Sequence, residues 1–148
     1  MSSRGKVAAA LLIHHPLDER RILVVNRPHI PGEDLPGIWG LPAASCQPGE
    51  CLEETARRAA RQKLGLVLQD PPLPLVTGTQ GSQRGLLTMT LYKAVPKKYV
   101  PVFPAVSEQE RGSTYYTDWC WSTFSILEEG FSNGSICCRL ALSLSREE

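Results

Sequence analysis

The chain has 148 residues, of which 42% are hydrophobic and 21% are charged, and its formal net charge is +1. These values are typical of one globular domain and exclude a collagen-like or intrinsically disordered chain. A net charge this close to zero gives no strong nucleic-acid signal, because recruitment by bulk charge needs a clear excess of lysine and arginine. No apolar run is long enough to span a membrane. We therefore expect a single domain over residues 1–148 and no membrane partner.

Cysteine usage bears on the compartment in which the protein works. The chain has five cysteines, an odd number, and no two of them have the C-x-x-C spacing of a metal site. A disulfide framework or a structural zinc site would need a different pattern. We expect reduced thiols and a cytoplasmic location.

The first half of the chain predicts strands followed by one strong helix. Apolar runs over 6–14 and 21–26 predict two strands joined by a turn, and the proline-rich stretch 28–36 predicts a loop. Residues 51–64 predict a helix, because good helix formers dominate the stretch and its acids precede its cations. Gly65 is suited to end that helix.

The second half predicts further strands and a C-terminal helix. The strands are expected over 75–80, 86–95 and 117–123, with a long proline-containing loop over 96–113. The helix is expected over 133–145, with Asn133 as its N-cap. This order of elements predicts an α/β fold in which a mixed β-sheet is flanked by a helix on each face.

The helix over 51–64 is part of a longer motif. The chain reads WGLPAA at 39–44, QPGE at 47–50, LEETARR at 52–58 and LGL at 64–66. These residues resemble the signature of the Nudix (MutT-like) hydrolase family, G-x5-E-x7-R-E-U-x-E-E-x-G-U, in which U is a bulky aliphatic residue. The pattern fits without a gap, and its fixed positions fall on Ala44, Glu50, Arg58, Gly65 and Leu66. The resemblance implies an α/β/α sandwich, with the Nudix helix at about 51–64 and the C-terminal helix at about 133–145.

The resemblance also implies an activity, and the sequence departs from the family where that activity needs metal. Nudix hydrolases cleave a nucleoside diphosphate linked to another moiety, using Mg²⁺ or Mn²⁺ held by glutamates of the signature helix. Here the three glutamates of R-E-U-x-E-E fall on Ala59, Gln62 and Lys63, which would share one face of an α-helix. Their formal charge changes from −3 to +1, whereas hard divalent cations need anionic oxygen ligands. The Nudix box is therefore degenerate.

The first hypothesis is a Nudix-fold protein that is weak or inactive as a hydrolase and binds a nucleotide or another phosphorylated small molecule. A cation fixed on the emptied helix face could bind phosphate electrostatically. Lys63 is the candidate for that cation, with Arg61 and Arg27 as assisting residues. No metal cofactor is expected under this hypothesis.

A second hypothesis is an active hydrolase with relocated metal ligands. Its catalytic residues would be Glu50, Glu54 and Arg58, with Mg²⁺ or Mn²⁺ held by Glu50 and Glu54. A late acid or base would come from Glu108 or Glu110 in the long loop. The competing interpretation of Glu50 and Glu54 is structural, since acids at the start of a helix cap it, complement its dipole and pair with later arginines.

A third hypothesis is a non-catalytic module that forms a homodimer or binds a partner through its sheet. The strand over 117–123 would contribute Trp119 and Trp121, which share one strand face, while Cys120 takes the other. These tryptophans are also open to interpretation as core residues, which the pattern favours, or as rings that stack on a base.

Overall fold

The computed structural model of the chain describes residues 5–27, 37–82, 85–103 and 116–145. The predicted proline-rich loop 28–36 therefore lies outside the described residues, as do Glu108 and Glu110. Among the described residues, no helix is long and apolar enough to cross a membrane.

The described residues form eight strands. In chain order they are β1 (Lys6–Leu12), β2 (His14–His15), β3 (Asp18–Asn26), β4 (Trp39–Gly40), β5 (Ala43–Ser45), β6 (Leu73–Ser82), β7 (Gly85–Lys93) and β8 (Asp118–Thr123). One sheet has the spatial order β5-β1-β7-β6 and is mixed, because β1 and β7 are parallel while its other pairs are antiparallel. This arrangement confirms the predicted mixed sheet.

The structure also has a second, antiparallel sheet, which the sequence pattern does not distinguish from the first. Its centre is β3, which pairs with β2, β4 and β8. The chain passes between the two sheets at Ile13, the residue between β1 and β2, whose carbonyl accepts a hydrogen bond from Leu23 N of β3 at 2.9 Å. The strand pattern predicted which residues are extended, but the choice of pairing partner depends on contacts between distant segments.

The helical segments form two groups, one after β5 and one after β8. They are α1 (Leu52–Arg58), a π-helical turn (Ala59–Lys63) that continues α1, a 3₁₀ turn (Phe124–Leu127), α2 (Glu128–Ser132) and α3 (Ile136–Ser145). The predicted helix over 51–64 is confirmed in position, although its second half is π-helical. The 3₁₀ turn and α2 lie between the last strand and α3.

Alternate residues of the strands face opposite helical layers. On one side of β1 and β3, apolar side chains pack with Ala56, Ala59 and Ala60 of the Nudix helix; these are Ala9, Leu11, Leu23 and Val25. On the other side, apolar side chains pack with Ile136, Cys138 and Leu140 of α3; these are Ala8, Ala10, Ile22 and Val24. The sheets are therefore flanked by helices on both faces, as predicted for an α/β/α sandwich.

The start of the C-terminal helix was predicted incorrectly. Asn133 ends α2, where its backbone N–H reaches the carbonyls of Glu129 and Gly130. Gly134 then adopts a φ of 91°, which a helix cannot contain, so the chain turns before α3 begins at Ile136. Ser135 takes the place before α3, and its hydroxyl accepts a hydrogen bond from Cys138 N at 3.4 Å.

Candidate functional site

The side chain of Glu54 caps the N-terminus of the Nudix helix by accepting a backbone hydrogen bond. Cys51 lies in an extended conformation directly before α1, and its N–H donates to Glu54 Oε1 at 3.1 Å. That hydrogen bond holds the pKa of Glu54 below its usual range. Glu53 pairs with Arg57 one turn later, at 3.4 Å. Glu53 and Glu54 therefore stabilise the first turn of the helix, which is the structural role proposed for acids at this end.

Glu50 lies at the centre of a hydrogen-bonded cluster. The cluster joins the Nudix helix to the box loop, which is the segment 46–51 between β5 and α1. Its Oε2 accepts from Arg58 Nε at 2.8 Å, and its Oε1 accepts from Arg58 Nη2 at 3.0 Å. Oε1 also accepts from the Thr55 hydroxyl at 2.7 Å and from Gln47 N at 3.1 Å. The two carboxylate oxygens therefore take four hydrogen bonds, which occupy much of their acceptor capacity.

Arg58 extends this cluster to both sides. It donates to the Ser45 carbonyl in β5 and to Gln62 Oε1 at 3.2 Å. The side chains of Arg58 and Glu50 are only 7% and 13% exposed. A bidentate pair with this little solvent around it is screened weakly and orients both groups. Its evident consequence is structural, because it joins the loop, β5 and the helix in one network.

The cluster predicts how stability depends on pH. The Arg58 guanidinium beside Glu50 is the main cause that lowers the pKa of that carboxyl from 4.5 to about 2. Because the folded-state pKa lies below the unfolded one, the stabilisation is fully present above pH 4.5 and is lost as pH falls from there towards 2. We expect a loss on the order of 2–3 kcal/mol across that window.

Urea unfolding at several pH values, in the wild type and in Glu50→Gln, measures this loss. The difference in unfolding free energy between the two proteins should shrink as pH falls from 4.5 to about 2. The matched control is Glu53→Gln, which removes an acid whose pair is much more exposed and should change the pH dependence little. Parallel pH profiles for wild type and Glu50→Gln would show that the carboxylate carries no such stabilisation.

The π-helical turn separates three residues that were predicted to share one face. Ala59 is fully buried, Lys63 is 9% exposed, and Gln62 is exposed and bonded to Arg58. A π turn closes with i→i+5 hydrogen bonds and is wider than an α turn, so the third residue along no longer overlies the first. The prediction of a single face is therefore wrong for Gln62, while Ala59 and Lys63 both point inward.

Lys63 lies beside Tyr116, a residue that the sequence analysis did not single out. The Lys63 ammonium is 5.8 Å from the centroid of the Tyr116 ring. The Tyr116 hydroxyl accepts a hydrogen bond from Ala43 N at 3.0 Å and approaches Ala43 O at 3.4 Å. Tyr116 directly precedes the last predicted strand, and nothing in the local pattern marks it. Only the folded chain brings it against the helix and β5.

The other predicted cations have different surroundings. Arg61 is exposed on the π turn, whereas Lys63 is buried. Arg27 follows β3 and is half-buried. Burial raises the pKa of Tyr116, and the positive charge of Arg27 opposes part of that rise, which places Arg27 within electrostatic reach of the hydroxyl. The structure therefore brings Lys63 and Arg27 towards Tyr116 and leaves Arg61 in solvent.

Aromatic rings form a half-buried cluster on the same side of the sheets as the Nudix helix. Trp121 has ring centroid distances of 4.8 Å to His15, 6.2 Å to Trp119 and 6.3 Å to Tyr99. Trp119 and Trp121 pack against the core layer of the Nudix helix, and Cys120 packs against the layer of α3. The prediction that the two tryptophans share a strand face is therefore correct.

The donor atoms of this region do not fit a hard divalent cation. Ala59 and Lys63 offer no oxygen, and Gln62 offers only a neutral amide. Glu50 already accepts four hydrogen bonds, and Glu54 caps the helix. Across residues 5–27, 37–82, 85–103 and 116–145, no three His, Cys, Asp or Glu side chains converge at metal-binding distance. Magnesium and manganese prefer several anionic oxygens, which this arrangement does not supply.

Comparison with solved structures finds the same fold in proteins of low sequence identity. The MutT NUDIX hydrolase of Burkholderia pseudomallei is 19% identical with a TM-score of 0.63, covering 82% of this chain and 84% of its own. The E. coli ORF135 protein is 14% identical with a TM-score of 0.61, covering 85% and 79%. The NUDIX domain of Shewanella oneidensis NrtR, solved with ADP ribose, is 22% identical with a TM-score of 0.63, covering 99% and 88%.

Comparison by sequence family gives the assignment. A search of curated proteins returns no match. The family model of the NUDIX domain, in contrast, matches residues 5–124, which include both sheets and the whole signature helix. Because this match covers well over half of the chain, the protein belongs to the NUDIX domain family.

Proposed function

We propose that this protein binds a nucleotide or another phosphorylated small molecule through a lysine ammonium, and that it is weak or inactive as a hydrolase. The observation that carries the proposal is the position of Lys63. It stands where the Nudix pattern has a metal-binding glutamate, and it lies buried beside Tyr116, whose hydroxyl contacts the backbone of Ala43 in β5. A lysine ammonium is a compact positive charge and a regular partner of phosphate oxygens.

The same lysine opposes a metal at this place. A divalent cation about 4 Å from an ammonium would be repelled by about 8 kcal/mol at an effective dielectric constant near 20. Movement of the lysine would reduce that figure, but the sign of the interaction stays unfavourable. The charge that a family hydrolase obtains from its metal is thus supplied here by the side chain itself.

The class of ligand is proposed from two further observations. A structural neighbour with the same fold, the NrtR domain, was solved with ADP ribose. Near the Nudix helix, this chain also has half-exposed tryptophan rings at Trp119 and Trp121, which offer stacking surface for a base. A nucleoside diphosphate derivative suits both a cation and an aromatic surface. ADP-ribose is therefore the first ligand to test.

Isothermal titration calorimetry with ADP-ribose in EDTA tests the proposal. We expect binding without metal, and a weakening of about tenfold to a hundredfold in Lys63→Met, because one charge-assisted contact is lost. The matched control is Lys97→Met, which removes an exposed lysine outside this region and should leave the affinity unchanged. Equal affinity of wild type and Lys63→Met would reject the role of Lys63.

Turnover assays separate binding from hydrolysis. The wild type is incubated with ADP-ribose and nucleoside triphosphates in Mg²⁺ or Mn²⁺, and compared with Glu50→Gln. We expect no turnover above that of the variant. Clear metal-dependent turnover that disappears in Glu50→Gln would favour the active hydrolase, with metal held by Glu50 and Glu54 and assisted by Glu108 or Glu110.

A further inference from the structure

Tyr116 touches two separate parts of the candidate site with two different groups. Its ring faces the Lys63 ammonium at 5.8 Å, and its hydroxyl exchanges contacts with the backbone of Ala43 at 3.0 and 3.4 Å. The residue is 6% exposed, so both contacts are shielded from water. Lys63 ends the signature helix and Ala43 begins the strand that leads into the box loop.

We propose that Tyr116 is the positioning residue of the cation site: its ring holds the Lys63 ammonium in place, and its hydroxyl fixes β5 at Ala43, in the strand that leads into the box loop. This inference rests on the proposed function, because it assigns Tyr116 a part in binding the same phosphorylated ligand. Tyr116 acts through Lys63 and Ala43 and is not itself assigned a contact with the ligand.

The contact with the Tyr116 ring helps to hold the buried Lys63 side chain in one direction. A lysine side chain has four flexible carbon atoms and loses much rotamer freedom when it is held in one direction. The face of an aromatic ring attracts a cation within about 6 Å without presenting a negative charge that would compete with phosphate. A phosphate arriving beside the ring can therefore draw the ammonium towards itself without first breaking an ion pair to Tyr116.

The hydroxyl contact fixes the first residue of β5. Ala43 and Ala44 stand just before the box loop, and Ala43 pairs with Ala10 of β1. The Tyr116 hydroxyl accepts a hydrogen bond from the Ala43 N–H, and this hydrogen bond satisfies a half-buried backbone donor. Burial raises the pKa of Tyr116, so the phenol stays protonated at neutral pH and remains a donor to Ala43 O.

Two substitutions separate the two contacts. Tyr116→Phe keeps the ring and removes the hydroxyl, whereas Tyr116→Leu removes both. We expect ADP-ribose affinity to stay within about threefold of wild type in Tyr116→Phe, and to fall by about tenfold in Tyr116→Leu. Phenylalanine also fills the space of the tyrosine ring, so both variants are compared at equal folded fraction by urea unfolding, and the direction of the Lys63 side chain is measured separately.

NMR reports the positioning directly and does not require ligand. The ε-CH₂ protons of Lys63, assigned by their disappearance in Lys63→Arg, should show an upfield ring-current shift in wild type and in Tyr116→Phe. The shift should disappear in Tyr116→Leu. Tyr92→Leu is the matched control, since Tyr92 is 7% exposed in the same core layer and should leave the Lys63 signal in place. If Tyr116→Leu does not fold, Tyr116→Met serves as the ring-free variant.

The outcomes distinguish this inference from the proposed function. Absence of the ring-current shift in wild type, or full affinity in a folded variant without the ring, would overturn the role of Tyr116. Absence of ADP-ribose binding in wild type, together with a normal Lys63 shift, would instead count against the proposed function. Loss of the shift and of affinity together in the ring-free variant, with both retained in Tyr116→Phe, supports the inference.

Discussion

Replacing Arg58 with methionine is expected to lower the free energy of unfolding by about 3–5 kcal/mol. Methionine fills a similar volume but leaves the Glu50 carboxylate, which is 13% exposed, without its bidentate partner. It also leaves the Ser45 carbonyl without the guanidinium N–H that now reaches it. An uncompensated charge in a poorly solvated position is among the most destabilising single changes available to a protein.

A double-mutant cycle in urea at pH 7 measures this effect. The variants are Arg58→Met, Glu50→Gln and the combination of both, and the combination should be less destabilised than Arg58→Met alone because no charge remains buried. Arg57→Met is the control, since the side chains of Arg57 and Glu53 are 40% and 52% exposed and their pair should contribute less than about 1 kcal/mol. Similar losses for Arg57→Met and Arg58→Met would contradict the assignment.

Replacing Gly65 with alanine is the second large expected loss, about 2–4 kcal/mol. Gly65 has a φ of +66°, in the left-handed region that side chains disfavour. In addition, a Cβ atom at this position would lie 2.4 Å from the Val102 carbonyl oxygen. That carbonyl cannot move easily, because Val102 N donates to Leu64 O at 2.8 Å and holds the two segments together.

Gly49→Ala provides a matched control for the backbone part of this effect. Gly49 also has a positive φ, +79°, but a Cβ atom there would meet nothing within 4 Å. Its substitution should cost about 1–2 kcal/mol, which is the conformational part alone. Thermal and urea unfolding of both variants would give the contribution of the Val102 contact by difference, and equal losses would mean that the close approach costs nothing.

The Gly65 contact and the Glu50–Arg58 pair give three fixed positions of the Nudix pattern a packing role in this fold. Gly65 ends the helix and lets the segment around Val102 cross it, and the Glu50–Arg58 pair fixes the helix to the box loop. Both features serve the packing of the domain, and neither requires a metal. Ala59, by contrast, is fully buried among apolar side chains, so a glutamate returned to that position would enter the core rather than an open metal site.

The features that depend on local pattern could be predicted from the amino-acid sequence. The gap-free frame of positions 44, 50, 58, 65 and 66 predicted the Nudix family, which the family model confirms, and the residue types at 59, 62 and 63 led to the prediction of a degenerate box. The face shared by Trp119 and Trp121 followed from strand alternation alone. These inferences succeed because helix and strand periodicity are properties of neighbouring residues.

How those residues are used depends on contacts between segments that are distant in the chain. The π turn leaves Gln62 off the buried face that holds Ala59 and Lys63, since one shift in hydrogen-bond register is set by packing rather than by helix propensity. Asn133 ended one helix instead of starting the next, because the positive φ of Gly134 follows it. Tyr116 carries no sequence signal, and its contacts with Lys63 and Ala43 exist only because the fold brings distant segments together. The replacement of a glutamate by Lys63 is thus visible in the sequence, but its burial against an aromatic ring is a product of the fold.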